Sequence, residues 1–177
     1  MRTRISTVFL ACLTVLVAVF PASGRELKTR FAMIAYSNED HLRTFNKEVS
    51  LGSLSYLLKD KKSFTVQDEI KEKIDVIVER VEAILEMFPK DAAFTISLLP
   101  SDEEVQAVYK KKYRKDVDFI AFYSPRDKTI FVSVPDMNLG VLAHEIAHAV
   151  IDLYYGRATP SKIHEVLAQY VESHLRD

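Results

Sequence analysis

Three residues in the last third of the chain, His144, Glu145 and His148, fit the pattern H-E-x-x-H. Residues four apart on a helix share one face, with Cβ atoms about 5–6 Å apart, so two imidazoles can bind one Zn²⁺ at about 2.0–2.1 Å each. A carboxylate one position after the first histidine lies beside the metal, where it can take a proton from water. The motif therefore predicts one zinc ion per chain, with His144 and His148 as ligands and Glu145 as a general base.

The residues around this motif predict a buried helix. Asn138 can cap its N-terminus, Gly156 can end it, and Leu139–Tyr155 is apolar in nearly every direction of the helical wheel. Two histidines and a glutamate inside such a helix would each be costly if they were left unpaired. A bound metal with its water would satisfy all three, which favours a metal site over a chance match on a core helix.

A catalytic zinc site usually has three protein ligands, so a third must lie outside the motif. The downstream candidates are Asp152, His164, Glu165 and His174. Asp152 lies too far along the same helix to close a tetrahedron with both histidines, and is better placed to accept a hydrogen bond from the ring of His148. This leaves the last predicted helix, which begins at Pro160 and Ser161.

The motif and the segment Pro160–Tyr170 (PSKIHEVLAQY) together resemble the gluzincin metallopeptidases, especially the compact, peptidase MA-like members. Their second motif is a Pro, a hydrophobic pair, then Glu-Gly-Leu-Ala with a Tyr soon after. The resemblance covers about residues 117 to 175. It implies that His144, His148 and Glu165 bind zinc, that Glu145 is the general base for a zinc-bound water, and that the substrate is a peptide or protein.

Three positions depart from the family pattern. Val166 replaces the usual Gly, His164 replaces a bulky apolar residue, and Gln169 stands where better-known gluzincins can carry an acid that orients a histidine. The larger C-terminal subdomain of big gluzincins, which often supplies the group that stabilises the oxyanion, has no counterpart after the last helix. Candidate substitutes are Tyr123, Tyr154 and Tyr155.

The helical wheel of the last helix gives an argument against Glu165. Its apolar stripe consists of Ile163, Val166, Leu167, Tyr170 and Val171. Glu165 lies nearly opposite that stripe, as a solvated glutamate would. Ala168 shares the side of Glu165, however, and a small residue there would let the helix pack closely against the metal helix. We therefore expect Glu165 to be the third ligand, with His164 as the alternative.

The rest of the chain predicts an α+β domain. Strands are predicted over Phe31–Tyr36, Phe94–Leu98, Phe119–Tyr123 and Thr129–Val134, the last two as a hairpin, and helices over Asn38–Val49, Thr65–Phe88 and Ser101–Tyr113. The pairs Thr65 with Asp68 and Ser101 with Glu104 predict capping at two helix starts. The resemblance implies a minimal zincin-like domain: a small twisted sheet, a long backing helix at Thr65–Phe88, and an edge strand at Thr129–Val134. That edge strand could hold an extended substrate.

Residues 1–24 predict a secretory signal peptide. Arg2 and Arg4 precede an apolar run, Ile5–Phe20, and small residues follow up to Gly24. Cleavage there would leave residues 25–177 as one exported domain, periplasmic or secreted, without stable membrane insertion. The run is shorter than the roughly 18 residues of a membrane span, so an uncleaved anchor is the less favoured alternative. The only cysteine, Cys12, lies in this segment, so the mature chain would have no disulfide.

The composition gives no sign of a nucleic-acid-binding protein, but several alternatives to an active peptidase remain. The formal net charge of 177 residues is -1, so no basic field points to nucleic acid. The rivals to a peptidase are a catalytically idle zincin-like binding module and a latent peptidase blocked by a segment such as Glu172–Asp177. Metal-dependent hydrolysis of another kind of substrate is a further one.

Overall fold

A computed structural model describes residues 24–58, 64–90, 93–156 and 159–176, and these form an α+β structure with one five-stranded mixed sheet. The strands are β1 (Arg25–Lys28), β2 (Ala32–Tyr36), β3 (Phe94–Leu99), β4 (Ala121–Ser124) and β5 (Thr129–Ser133). The helices are α1 (Glu39–Glu48), α2 (Val66–Leu85), α3 (Asp102–Tyr113), α4 (Leu139–Tyr155) and α5 (Ser161–His174), with a 3-10 helix at Gly52–Leu58. The α+β prediction is confirmed, whereas the predicted signal peptide, up to Ser23, falls outside the described residues.

The strand order of the sheet is β1-β2-β3-β5-β4. The central strands β2, β3 and β5 run parallel, and β1 and β4 pair antiparallel at the two edges. The predicted hairpin is confirmed, but the edge prediction for Thr129–Val134 is wrong, because the parallel pairing of β5 with β3 leaves β4 outside. The burial of Ile130 and Val132, both 0% exposed, fits an interior strand.

Two of the predicted caps form as expected. The Thr65 hydroxyl accepts from the Asp68 N–H at 3.1 Å, and the Asn138 side chain accepts from the Val141 N–H at 3.1 Å. Ser101 is the residue before α3 but makes no side-chain cap hydrogen bond. The helix predicted to reach Phe88 ends at Leu85, because Glu86 adopts a left-handed conformation with φ 54° and terminates it.

Helix α4 lies at the centre of the core. Its buried positions include Ala143, Ile146 and Ala147, all 0% exposed, between α2 and α5. The backing role predicted for the helix from Thr65 agrees with the packing of α2 on α4. Burial on this scale fixes the rotation of α4, and therefore the direction of the two histidines.

Helix α5 packs on a different face from the one that its hydrophobicity predicts. Ala168 and Val171 are fully buried, but Ile163, Val166 and Tyr170 are exposed. The apolar stripe of the helical wheel is therefore divided, because Val171 is buried and Leu167 is partly buried against the core. The face turned inward carries Ala168 and Val171, and Glu165 lies beside that face with 57% of its side chain exposed.

No helix within residues 24–58, 64–90, 93–156 and 159–176 combines the length and the hydrophobicity that crossing a bilayer requires.

Candidate metal centre

The two motif histidines converge as their spacing predicts. The Nε2 atoms of His144 and His148 are 3.2 Å apart, and their rings meet nearly edge to face at 79°. Both side chains are half-buried on the face of α4 that looks toward α5. The fully buried apolar residues behind them hold the helix in this orientation, so the two nitrogens are presented together without any movement of the backbone.

Glu165 completes the cluster from α5. Its Oε2 lies 3.7 Å from Nε2 of His144, and its Oε1 lies 3.6 Å from Nε2 of His148. Zinc bonds of about 2.0–2.1 Å in a tetrahedron place neighbouring ligand atoms roughly 3.3–3.5 Å apart. The three donor atoms therefore stand at nearly the separations that Zn²⁺ requires, and two imidazoles with one carboxylate are a donor set typical of zinc hydrolases.

The electrostatics of His148 suit a metal ligand. Burial is the main cause that lowers the pKa of His148 to about 3, and the neighbouring His144 and His164 lower it further. The ring is therefore neutral at physiological pH. Neutral imidazole is the form that binds a metal ion, so no proton has to be displaced from this residue on binding.

Glu145 lies beside the cluster and is only 8% exposed. Burial raises the pKa of its carboxyl to about 7, and the charge of Glu165 acts in the same direction. The backbone N–H of Tyr123 donates a hydrogen bond to this carboxyl and opposes the shift. The result is a carboxyl balanced between its two protonation states near neutral pH, as a general base that must also return a proton requires.

Two alternatives from the sequence are placed elsewhere by the structure. The partner of Asp152 is not the ring of His148 but the hydroxyl of Tyr123, which donates to Oδ2 at 2.9 Å. His164 is not in the donor cluster, since its ring stacks on that of His148 with centroids 5.8 Å apart. Burial lowers the pKa of His164, while Asp152 and Glu165 oppose that shift. His164 thus forms part of the wall beside the cluster.

Glu172 is a residue that the sequence analysis missed. Its Oε2 lies 3.5 Å from Nδ1 of His144, on the side of the ring away from the donor cluster. A carboxylate there favours the tautomer that leaves Nε2 free for a metal and fixes the ring orientation. This is the contribution that the resemblance assigns to an acid at the position of Gln169. The available signal was the spacing: Glu172 follows Glu165 by two helical turns, so both lie on one face of α5.

The cluster opens into a cavity of about 620 Å³, a volume typical of ligand sites. Its lining includes Tyr123 from β4, while Tyr154 and Tyr155 are exposed and do not contribute. No lining residue comes from the N-terminal part of the described chain, residues 24–58, or from residues 172–176. The C-terminal turn instead packs on α2, where Arg80 donates to the carbonyl oxygens of His174 and Leu175 at 3.3 Å.

Comparison of this chain with models of protein families, with curated proteins and with solved structures finds no match.

Proposed function

We propose that the protein is a zinc-dependent metallopeptidase of the gluzincin type, with His144, His148 and Glu165 as ligands and Glu145 as general base. The observation that carries the proposal is the convergence of three donor atoms within 4.8 Å of one another, beside a buried carboxyl and at the floor of an open cleft. Among the described residues, no other group of three His, Cys, Asp or Glu side chains meets in this way.

The chain's own residues divide the chemistry between them. A bound Zn²⁺ would supply a Lewis acid for the carbonyl and an activated water at neutral pH. Glu145 takes a proton from water and returns it to the leaving amine, since its carboxyl lies beside the donor cluster in the same cleft. Tyr123 holds the Glu145 carboxyl through its backbone N–H, and Glu172 holds the ring of His144.

The substrate can be held by the open edge of β4. The Ile120 carbonyl accepts from the Ser133 N–H at 2.8 Å, so Ile120 faces β5. Because backbone groups alternate along a strand, Ala121 and Tyr123 turn theirs to the open side, where Tyr123 meets Glu145. An extended peptide that pairs with the backbone groups of Ala121 would pass beside Glu145 and the cluster. The strand proposed to hold the substrate is therefore Ala121–Ser124, in place of Thr129–Val134.

The first test is metal content, measured by plasma mass spectrometry on wild type, Glu165→Ala and His164→Ala. We expect one zinc per wild-type chain, a weakened site in Glu165→Ala, and a retained site in His164→Ala, which serves as the control on the same helix. A wild-type protein that binds no zinc, even after reconstitution, would overturn the proposal.

The second test is peptide cleavage by the zinc-loaded protein. Glu145→Gln should keep zinc and lose about 10²–10⁴-fold in turnover, because it removes proton transfer and keeps the size of the side chain. Stoichiometric zinc without cleavage of any peptide in a diverse library would instead favour the idle binding module. Of the segment suggested to block a latent peptidase, residues 172–176 line no part of the cleft.

We also propose that the protein is exported after cleavage behind Gly24. The start of β1 at Arg25, in register with β2, supports a mature domain that begins there. Mass spectrometry of the protein from its host should then give an N-terminus at Arg25, and an intact N-terminus would favour the membrane-anchored alternative.

A further inference from the structure

The cleft does not end at the metal centre but continues around the outer edge of β4. On one face of the sheet, the side chain of Tyr123 reaches Asp152 of α4. On the other face, the ring of Phe122 meets Tyr109 of α3, with centroids 5.0 Å apart. Successive strand residues point to opposite faces, so α3 and α4 lie on opposite sides of β4. Residues from both sides line the same cavity of about 620 Å³.

The α3 side of the cavity is an aromatic bay, formed by Tyr109, Phe119 and Phe122. Tyr109 meets Phe119 edge to face at 5.2 Å, and the stacking of Phe122 on Phe131 at 5.0 Å supports the bay from behind. Phe119 remains 41% exposed in spite of these contacts. Three rings held by one another form a preformed apolar surface that still has ring area open to a ligand.

A peptide added to the edge of β4 would use both sides of the cavity. Its side chains alternate between the two faces of the extended sheet. A side chain that points toward α4 meets the metal cluster, and the next one along the peptide points toward α3 and meets the aromatic bay. The alternation of side chains along one strand therefore places neighbouring residues of the same peptide at the metal cluster and at the aromatic bay.

We propose that the aromatic bay selects peptides with an aromatic or large aliphatic side chain at the position next to the one that faces the metal cluster. This inference rests on the proposed peptidase function, and it specifies which class of peptide the cleft would bind. The bay contains no ionised side chain, whereas the metal side carries Glu145, Asp152 and Glu165. A carboxylate side chain in the bay would lose water without gaining a partner, so acidic residues are disfavoured at that position.

The test measures binding rather than turnover, so it does not depend on catalysis. Fluorescein-labelled hexapeptides of alanine and serine, each with one phenylalanine at a different position, are titrated into zinc-loaded Glu145→Gln and followed by fluorescence anisotropy. We expect one position at which phenylalanine binds about 10- to 100-fold more tightly than alanine, the range for burying an aromatic side chain. Adding Phe119→Ala should remove most of that preference.

The matched control is Phe88→Ala, since Phe88 is also an exposed phenylalanine, at 62%, and is outside the cavity lining. It should leave the preference unchanged, and thermal unfolding should show that both variants are folded. Equal binding of phenylalanine and alanine at every position, or a preference that survives Phe119→Ala, would overturn the inference. A selective bay in a protein whose zinc-loaded wild type cleaves no peptide of the diverse library would instead refute the proposed peptidase activity and leave the inference standing.

Discussion

The helices α4 and α5 supply the two halves of the candidate metal centre, and they differ in how their sequences relate to their packing. On α4 the histidines and Glu145 are exceptions in a helix that is apolar all round, and its burial follows from that composition. On α5 three residues of the apolar stripe, Ile163, Val166 and Tyr170, face solvent. The buried face carries Ala168 and Val171, and two exposed glutamates beside it, Glu165 and Glu172, reach His144.

The difference shows what determines the orientation of each helix. Helix α4 has no continuous polar face to expose, so its position depends on burying most of its surface. Helix α5 gives up burial of three large side chains and gains close packing at Ala168, which brings the carboxylates of Glu165 and Glu172 to the rings of α4. The packing of α5 therefore follows the contacts of its carboxylates with α4 more closely than it follows the hydrophobic pattern of the helix.

The largest effects should come from the ligands on both helices. His148→Ala removes a proposed ligand on α4 and Glu165→Ala a proposed ligand on α5. Each should weaken zinc binding by more than about 100-fold, since losing a supporting partner alone costs about 10–100-fold. Competition with a chromogenic chelator measures both. Gln169→Ala, a neighbour of Glu165 with no role in the cluster, should bind zinc as wild type does. If Glu165→Ala did so too, α5 would have no part in the metal site.

The second prediction concerns the buried carboxyl of α4 in the metal-free protein. The pKa of Glu145 is raised from 4.5 to about 7, so the folded state favours the neutral form. Its contribution to stability is complete below pH 4.5 and is lost as pH rises through about 7. Glu145→Gln should therefore gain stability relative to wild type over that range, by up to about 3 kcal/mol at about 1.4 kcal/mol per pKa unit.

Urea unfolding in the presence of EDTA, at pH 4 and pH 8, measures this difference. The shift of His148 is common to both proteins and cancels from it. A stability difference that stays constant between the two pH values would show that Glu145 is not held in an environment that favours its neutral form.

The third prediction tests the small residue that lets α5 approach α4. Ala168 is 0% exposed on the same face as Glu165 and Glu172. Ala168→Leu should cost roughly 1–3 kcal/mol through overpacking, and should also weaken zinc binding because it moves the two helices apart. Thermal unfolding and chelator competition on one sample test both effects. Unchanged zinc affinity would mean that the approach at Ala168 does not position Glu165.

The fourth prediction tests the support of His144 by Glu172. Glu172→Gln should lower zinc affinity by about 10-fold, because an amide near Nδ1 stabilises the same tautomer less strongly than a carboxylate does. The zinc affinity of Glu172→Asp should lie between those of wild type and Glu172→Gln, because the shorter side chain keeps the charge but lies farther from Nδ1. If the zinc affinity did not change in Glu172→Gln, Glu172 would not support His144. It would then be as unimportant for zinc binding as Gln169 is expected to be.

The smallest effect is expected on the outer face of α5. Val166→Ser replaces a side chain that is 56% exposed, and should change the free energy of unfolding by no more than about 0.5 kcal/mol. A conservative loss at a buried neighbour, Val171→Ala, should cost more because Val171 is 0% exposed. Equal losses at the two positions would contradict the orientation of α5 described above.

The sequence alone determined the placement of the motif residues on α4. The spacing of His144 and His148 fixes one helix face, and the apolar residues around them require that the face be buried. The caps at Thr65 and Asn138, the β4–β5 hairpin and the α+β class are also local consequences of residue type. Each depends on neighbours in sequence, which is why it could be predicted.

Only the tertiary structure decided which strand is the edge, which face of α5 turns inward, and that Glu172 and Tyr123 support the site. These are contacts between residues far apart in sequence. A helical wheel ranks the faces of α5 by hydrophobicity, but the inward face was set by the space that α4 leaves and by the carboxylates that meet its histidines. Likewise, β4 becomes the edge because β5 pairs with β3. This pairing joins strands far apart in sequence, and the residue pattern of either strand does not predict it.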